Sequence, residues 1–125
     1  MILLDTHILV RLAIGQLSEA RLELLRTVKE LYISSISLWE VAKLVEYKRI
    51  EIEEGLGVFL ERVHGNSNFT VVDLLPEILV KIASIAPQVG KDPADQIIVA
   101  TALFLRARLM SDDSKMIESK LIEML

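Results

Sequence analysis

Short apolar runs alternate along this chain with longer segments in which apolar residues recur every three or four positions. The short runs predict strands, and the periodic segments between them predict helices. The predicted strands are Ile2–Leu4, Tyr32–Ser34, Phe69–Val72, Leu109–Ser111 and the alternating C-terminal stretch Leu121–Leu125. Strands that alternate with helices favour a parallel sheet with right-handed crossovers and helices on both faces. The predicted fold class is therefore α/β with three layers.

The most apolar helix is predicted to run from Pro93 to about Arg106. Asp92 before Pro93 is the pattern of an N-cap followed by proline at the first helical position. Asp92 and Asp95 would then lie at the positive end of the helix dipole, and capping explains either acid taken alone. Because the run that starts at Ile97 is apolar on all sides, we expect this helix to be buried.

Three other helix starts are predicted from capping patterns and periodicity. Thr6 is predicted to cap the helix after the first strand. Ser37 and Glu40 have the spacing of a capping box, which predicts a helix that begins near Ser37 and a structural role for Glu40. A further helix, interrupted by glycines, is predicted over 53–64.

Acidic residues follow the predicted strands or open the helices beside them. Asp5 ends the first strand, Asp112 and Asp113 follow the fourth, and Glu40 and Asp95 lie in opening turns of helices. In an open α/β sheet these positions share the edge at the carboxyl ends of the strands. Carboxylates gathered there raise one another's pKa, and a divalent cation with oxygen ligands compensates their charge. The sequence therefore predicts a Mg²⁺ or Mn²⁺ site that activates water for attack on a phosphodiester.

Composition further restricts the classes of protein to which the chain can belong. The chain has 125 residues, 52% of them hydrophobic, and a formal charge of −4, which predicts a single domain over 1–125 with a substantial core. The negative net charge argues against binding of nucleic acid by electrostatic attraction over the whole surface, but it does not exclude a nuclease. With no cysteine and only His7 and His64, the chain lacks the ligands that zinc prefers. The apolar runs are too short to span a membrane and the first residues lack the basic start of a signal peptide, so we expect a cytoplasmic protein.

Four motifs resemble those of PIN domains, and in particular those of the VapC toxin ribonucleases of prokaryotic toxin–antitoxin pairs. The motifs are LLDTH at Leu3–His7, SISLWEVA at Ser35–Ala42, DPADQIIVATA at Asp92–Ala102 and LMSDDSK at Leu109–Lys115. Together they span nearly the whole chain. Their order and their placement at strand ends make the combination more specific than any single motif.

The resemblance implies a Mg²⁺- or Mn²⁺-dependent endoribonuclease. The family's catalytic acids fall on Asp5, Glu40, Asp95 and Asp113, of which Asp5, Asp95 and Asp113 would hold the metal. Asp113 is selected over Asp112 because the family's last acid stands two residues after a Ser or Thr. The accessory positions of the predicted site are Asp92, Asp112, Thr6 and Ser111. The resemblance also implies a PIN-like, five-stranded parallel sheet in the order 3-2-1-4-5, a homodimer, and a cognate antitoxin that blocks the acidic pocket.

Four residues within or next to the motifs are candidates for contact with the RNA substrate, and they are His7, Lys43, Lys91 and Lys115. Each also has an ordinary explanation, because a single lysine is more often a solvated surface charge and a first-turn histidine more often bonds locally. Trp39 is predicted to lie in the core or at a subunit interface rather than to stack on a base. Gly90 and Lys91 stand where related sequences often have histidine and arginine, and 50–65 does not match the family pattern.

Two other functions fit parts of the pattern. A receiver-like signalling domain also has a parallel sheet and an acidic metal site, and Asp73 would be its phosphoryl acceptor. That function requires a second acid beside Asp5 and a lysine at the end of the last strand, and the sequence has neither. The third alternative is a PIN-fold binding module without catalysis, and the four acids count against it.

Overall fold

A computed structural model describes residues 1–119 and 123–125 of the chain. Within the described residues, the short apolar runs form the strands β1 (Ile2–Leu4), β2 (Leu31–Ser34), β3 (Phe69–Val72) and β4 (Arg108–Met110). The periodic segments form the helices α1 (Thr6–Ala13), α2 (Glu19–Thr27), α3 (Ser35–Glu46), α4 (Leu56–Gly65), α5 (Pro76–Leu79), α6 (Ile82–Val89), α7 (Pro93–Leu105) and α8 (Ser114–Ser119). None of the described helices is long and apolar enough to cross a bilayer.

All four strands pair in parallel, in the order β3-β2-β1-β4. β1 is therefore central, and Leu4 at its end lies opposite Ile33 of β2 and Met110 of β4. The predicted α/β class and parallel sheet are confirmed, and the strand order agrees with the predicted order over the first four strands. The carboxyl ends of β1, β2 and β4 consequently meet at one edge of the sheet.

The prediction of a five-stranded sheet is wrong for the part of the chain that the structure describes. Leu121 and Ile122 of the predicted last strand lie outside the described residues. After them, Met124 forms one isolated parallel bridge with Leu109. Leu109 N donates to Glu123 O and Leu125 N donates to Leu109 O, both at 2.9 Å. The C-terminal residues thus lie beside β4, where the fifth strand was expected, but the described pairing is confined to a single position.

The two faces of the sheet are covered by different helices. Because side chains alternate along a strand, Leu3 and Leu4 of β1 face opposite layers. Leu3 packs in a cluster with Ile98 and other residues of α5, α6 and α7. Leu4 packs with Ile8 of α1 and Leu25 of α2, and a third cluster joins α1 to α3 and α4. This three-layer packing fixes α1, α3 and α7 around the end of β1.

α4 begins at Leu56, three residues later than predicted. Gly55 adopts a φ of 87°, a left-handed conformation that suits glycine and interrupts the helical path. α4 and the end of α1 border a groove of about 1050 Å³, whose lining includes Leu12, Glu51 and Phe59. The groove's lining contains none of the acids predicted at the strand ends, so this groove and the predicted acidic site are separate features.

Candidate active site

Asp5 follows β1 directly and is only 2% exposed. Its backbone N–H donates to Met110 O at 3.0 Å, which is the last backbone contact between β1 and β4. Its Oδ1 accepts from Thr6 N at 2.7 Å, so the N-cap of α1 is Asp5 and not Thr6 as predicted. Burial raises the pKa of Asp5, although hydrogen bonds from Ser111 and Thr6 favour the charged form and oppose this shift.

The register of β1 and β4 places Ser111 beside Asp5. Ser111 Oγ donates to Asp5 Oδ2 at 2.6 Å and accepts from Asp113 N at 3.0 Å. Since a hydroxyl has one proton, the contact at 3.7 Å between Ser111 Oγ and Met116 Sδ is a packing contact. Asp113 Oδ1 in turn accepts from Met116 N at 3.0 Å at the start of α8. Ser111 therefore connects Asp5 to the turn that carries Asp113.

Thr6 links α1 to α3. Its Oγ1 donates to Glu40 Oε1 at 2.5 Å and lies 2.8 Å from Ser37 Oγ. Because the single Thr6 proton goes to the carboxylate, the Ser37 hydroxyl donates to Thr6. α3 begins at Ser35 with Ser34 as its N-cap, so the predicted capping box at Ser37 is wrong. Glu40 lies in the second turn of α3 and contacts α1 instead of capping its own helix.

The start of α7 agrees with the prediction. Asp92 is the N-cap and accepts from Asp95 N at 3.1 Å, with Pro93 at the first helical position. Gln96 Nε2 donates to Gly90 O at 2.6 Å, which ties the preceding loop to the helix. The body of α7 is buried from Ile97 to Ala102, and it packs between the sheet and the neighbouring helices. This buried body holds the partly exposed Asp95 side chain at the edge of the sheet.

Four other carboxyls lie within electrostatic reach of Asp95. Burial and the charges of Asp92, Asp113, Asp5 and Glu40 raise the pKa of Asp95 to about 7. Burial also raises the pKa of Glu40, and the charges of Asp92 and Asp5 add to this effect. We call Asp5, Glu40, Asp92, Asp95 and Asp113 the acidic cluster. Four elements or their caps contribute to it.

Asp112 has a different environment from its neighbour Asp113. Arg21 donates to both of its oxygens, with Nη1–Oδ2 at 2.9 Å and Nη2–Oδ1 at 2.7 Å. Arg11 Nη1 lies 2.5 Å from Oδ2. These guanidinium groups hold the pKa of Asp112 well below its usual range. The two acids therefore differ in environment, because Asp113 belongs to the acidic cluster and Asp112 is paired with arginines.

Two of the predicted RNA contacts lie close to the acidic cluster. His7 is exposed, and its charge lowers the pKa of Asp5 and Glu40. The Lys115 side chain passes over Gly90, where an added Cβ would lie 3.5 Å from Lys115 Nζ. Lys91 is exposed in the loop that leads to α7.

Lys43 is engaged elsewhere. Its Nζ lies 2.6 Å from Glu46 and 4.8 Å from the centre of the Tyr47 ring. Trp39, on the same helix, is 57% exposed and does not join the core of the chain. A place for Trp39 at a subunit interface stays a prediction.

Sequence reasoning missed three residues that the structure places next to the predicted site. Ser37 was interpreted as a cap, although it precedes Glu40 by three positions and thus shares a helix face with it, which was a usable signal. Arg11 and Arg21 gave no signal, because each stands among ordinary surface positions of an amphipathic helix. Only the fold brings them to Asp112.

The donor chemistry of the acidic cluster fits a hard divalent cation, because all of its donors are carboxylate oxygens. Asp5 keeps unused lone pairs, since each of its oxygens accepts one hydrogen bond. In the arrangement described, no three His, Asp or Glu side chains among the described residues are close enough to share one ion. The carboxylates of the cluster must therefore draw together to bind one ion.

Three solved structures share this fold. FitAcB from Neisseria gonorrhoeae is 19% identical, with a TM-score of 0.74 over 100% of this chain and 97% of that one. VapBC2 from Rickettsia felis, bound to a DNA fragment from its promoter, is 21% identical, with a TM-score of 0.74 over 100% and 98% of the two chains. A toxin–antitoxin complex from Klebsiella pneumoniae is 23% identical, with a TM-score of 0.67 over 92% and 88%. No curated protein sequence matches the chain.

These similarities establish the fold, and the family is established by the sequence itself. The pattern that defines the PIN domain matches residues 2–120, which is nearly the whole chain. The matched region includes all of the acidic cluster. The chain therefore belongs to the PIN domain family, whose members are typically nucleases.

Proposed function

We propose that this protein is a divalent-metal-dependent endoribonuclease and the toxin of a toxin–antitoxin pair. The observation that carries the proposal is the convergence of carboxylates from separate elements around Asp95, where burial and the neighbouring charges raise the pKa of Asp95 to about 7. A structural role does not explain a cluster of like charges, because repulsion within it lowers the stability of the fold when no cation is bound. Such clusters are typical of sites that bind a cation or carry out a reaction.

The four catalytic acids would have different roles. Asp5, Asp95 and Asp113 would hold Mg²⁺ or Mn²⁺, which supplies an activated water and charge neutralisation at the phosphodiester when bound. Asp5 is fixed by its two hydrogen bonds, so it gives the site a rigid anchor. Glu40 is held by Thr6 at 2.5 Å and keeps a second oxygen that can orient a water or a substrate group. Asp95 gains or loses its proton near neutral pH.

The partners belong to the same proposal. One structural neighbour was solved as a toxin–antitoxin complex, which supports a cognate antitoxin for this chain. A homodimer is supported by apolar side chains that remain exposed on the single chain. Trp39 is 57% exposed and Val80 is 75% exposed, and burial of such residues between subunits would stabilise a dimer.

The receiver-like alternative is not supported. Asp73, its acceptor, follows the edge strand β3 and is exposed, and it is separated from Asp5 by the width of β2. The family match also identifies a PIN domain over the chain. A PIN-fold module without catalysis is an outcome that experiment can distinguish.

The test is cleavage of a panel of structured and single-stranded RNAs by the purified protein. We expect cleavage with Mg²⁺ or Mn²⁺ and none after addition of excess chelator, with recovery when the metal is restored. Addition of the cognate antitoxin should suppress the cleavage. Cleavage that persists in excess chelator would exclude the metal mechanism, and metal binding without any cleavage would favour the module that lacks catalysis.

A further inference from the structure

We propose that Asp112 is a positioning residue of the nuclease, which, with Arg11 and Arg21, latches the turn carrying Asp113 onto α1 and α2. This inference rests on the proposed function. We call Asp112, Arg11 and Arg21 the arginine latch. Asp112 lies next to the acidic cluster, and its role is to position Asp113 and not to bind the metal.

The geometry of the arginine latch makes it a stronger interaction than an ordinary surface ion pair. Isolated exposed pairs contribute little, but bidentate pairs and shared networks are the exceptions. Arg21 binds both oxygens of Asp112, and Arg11 binds one of the same oxygens from a second helix. The Arg21 side chain is 26% exposed, and those of Arg11 and Asp112 are each 45% exposed. One carboxylate thus joins three elements of the fold.

The turn after β4 needs such a restraint. β4 is three residues long, and its last backbone contact with β1 is the bond from Asp5 N to Met110 O. Beyond that bond, the contacts between the turn and the helices around β1 are made by side chains. Ser111 holds the inner side of the turn through Asp5, and Asp112 holds the outer side through the arginines.

The latch also couples Asp113 to Asp5. Arg11 lies on α1, and the N-cap of α1 is Asp5. The contacts therefore close a ring that runs from Asp5 through Ser111 and Asp112 to Arg11 and back along α1. Asp113 follows Asp112 directly, so a shift of the turn changes its distance from Asp5. Small displacements of a reacting group lower rates strongly.

The experiment compares Asp112→Asn and the double variant Arg11→Gln/Arg21→Gln with the wild type. Arg26→Gln is the matched control, because Arg26 lies on α2 in exposed pairs with Glu19 and Glu23. Three quantities are measured: amide hydrogen exchange over residues 111–117, equilibrium Mn²⁺ affinity without RNA, and kcat and KM for RNA cleavage.

We expect faster exchange over the turn and about 10-fold weaker Mn²⁺ binding in both latch variants, as for losses of other outer-shell partners. We also expect kcat to fall about 10-fold with KM nearly unchanged. Because the three side chains act together, the triple variant should be no worse than either latch variant. Arg21→Lys, which keeps the charge but loses the two-point contact, should show an intermediate effect.

Unchanged exchange and unchanged Mn²⁺ affinity in the latch variants would overturn the inference. A rise in KM alone would also overturn it, because the arginines would then contact RNA instead of positioning Asp113. If the wild type cleaves no RNA, the proposed function fails, while exchange and Mn²⁺ binding still decide whether the latch holds the turn.

Discussion

The Ser111 hydroxyl donates a 2.6 Å hydrogen bond to Asp5, which joins residues 106 positions apart at the adjoining ends of β1 and β4. The bond exists because the two strands are parallel neighbours with Leu4 opposite Met110. It connects Asp5, the first acid of the chain, to the turn that carries Asp112 and Asp113. The sheet topology therefore brings Asp5 and the turn that carries Asp113 together.

The hydroxyl of Thr6 is predicted to be needed for full activity. Thr6→Val keeps the shape of the side chain but removes the donor to Glu40 and the acceptor for Ser37. We expect a loss of about 1–2 kcal/mol in the free energy of unfolding, because buried polar groups lose partners. We also expect kcat to fall about 10-fold, because Glu40 is no longer oriented. Urea unfolding and single-turnover cleavage measure both effects.

Thr6→Ser is the matched variant, since it restores the hydroxyl without the methyl group. It should retain most of the activity. Equal losses in the Val and Ser variants would mean that Thr6 acts through packing alone, which would contradict the proposed orientation of Glu40.

The metal-free protein is predicted to lose stability as the pH rises toward neutrality. The pKa of Asp95 is about 7 in the folded chain, against 3.8 for a free Asp side chain. Between these values the folded state binds more protons than the unfolded state, so the free energy of unfolding falls with increasing pH. The raised pKa values of Asp5 and Glu40 act in the same direction.

Asp112 does not cancel this slope, because its lowered pKa affects stability only at more acidic pH. Melting temperatures of the chelator-treated protein, measured from about pH 4 to about pH 8, should fall across the window in which Asp95 ionises. Saturating Mn²⁺ should reduce the slope, because a bound cation stabilises the ionised carboxylates. A melting temperature that rises steadily over this range would contradict the raised pKa of Asp95.

Asp95→Asn is predicted to separate activity from stability. The substitution removes one charge from the acidic cluster while Asp92 still accepts from the backbone N–H of residue 95. We expect cleavage to fall by about two orders of magnitude or more, because a ligand charge is lost. At pH 8 the metal-free variant should be at least as stable as the wild type, and its stability should vary less with pH. A markedly destabilised variant would show that Asp95 has a structural role.

The sequence predicted the strand ends and the start of α7 well, because these depend on local features. Ile2–Leu4 stops at Asp5, and Asp92-Pro93 specifies a cap whatever the surroundings. The start of α3 was missed because Ser34, Ser35 and Ser37 can all serve as caps, and tertiary contacts decide among them. Ser37 is used by Thr6 of another helix, which no local pattern indicates.

The assignment of Asp112 likewise depended on contacts that are distant in sequence. Two adjacent aspartates after one strand are equivalent by local pattern, and only the resemblance to the family favoured Asp113. Arg11 and Arg21 distinguish them, and they lie 101 and 91 positions away.

The most direct test of the central claim is the Mn²⁺-dependent rate of RNA cleavage by Asp5→Asn, compared with Asp73→Asn. Both substitutions remove one carboxylate that follows a strand, but Asp5 belongs to the acidic cluster and Asp73 follows the edge strand β3. We predict that Asp5→Asn abolishes cleavage and weakens Mn²⁺ binding, whereas Asp73→Asn matches the wild type. Cleavage by Asp5→Asn at the wild-type rate, with unchanged dependence on Mn²⁺, would contradict the account.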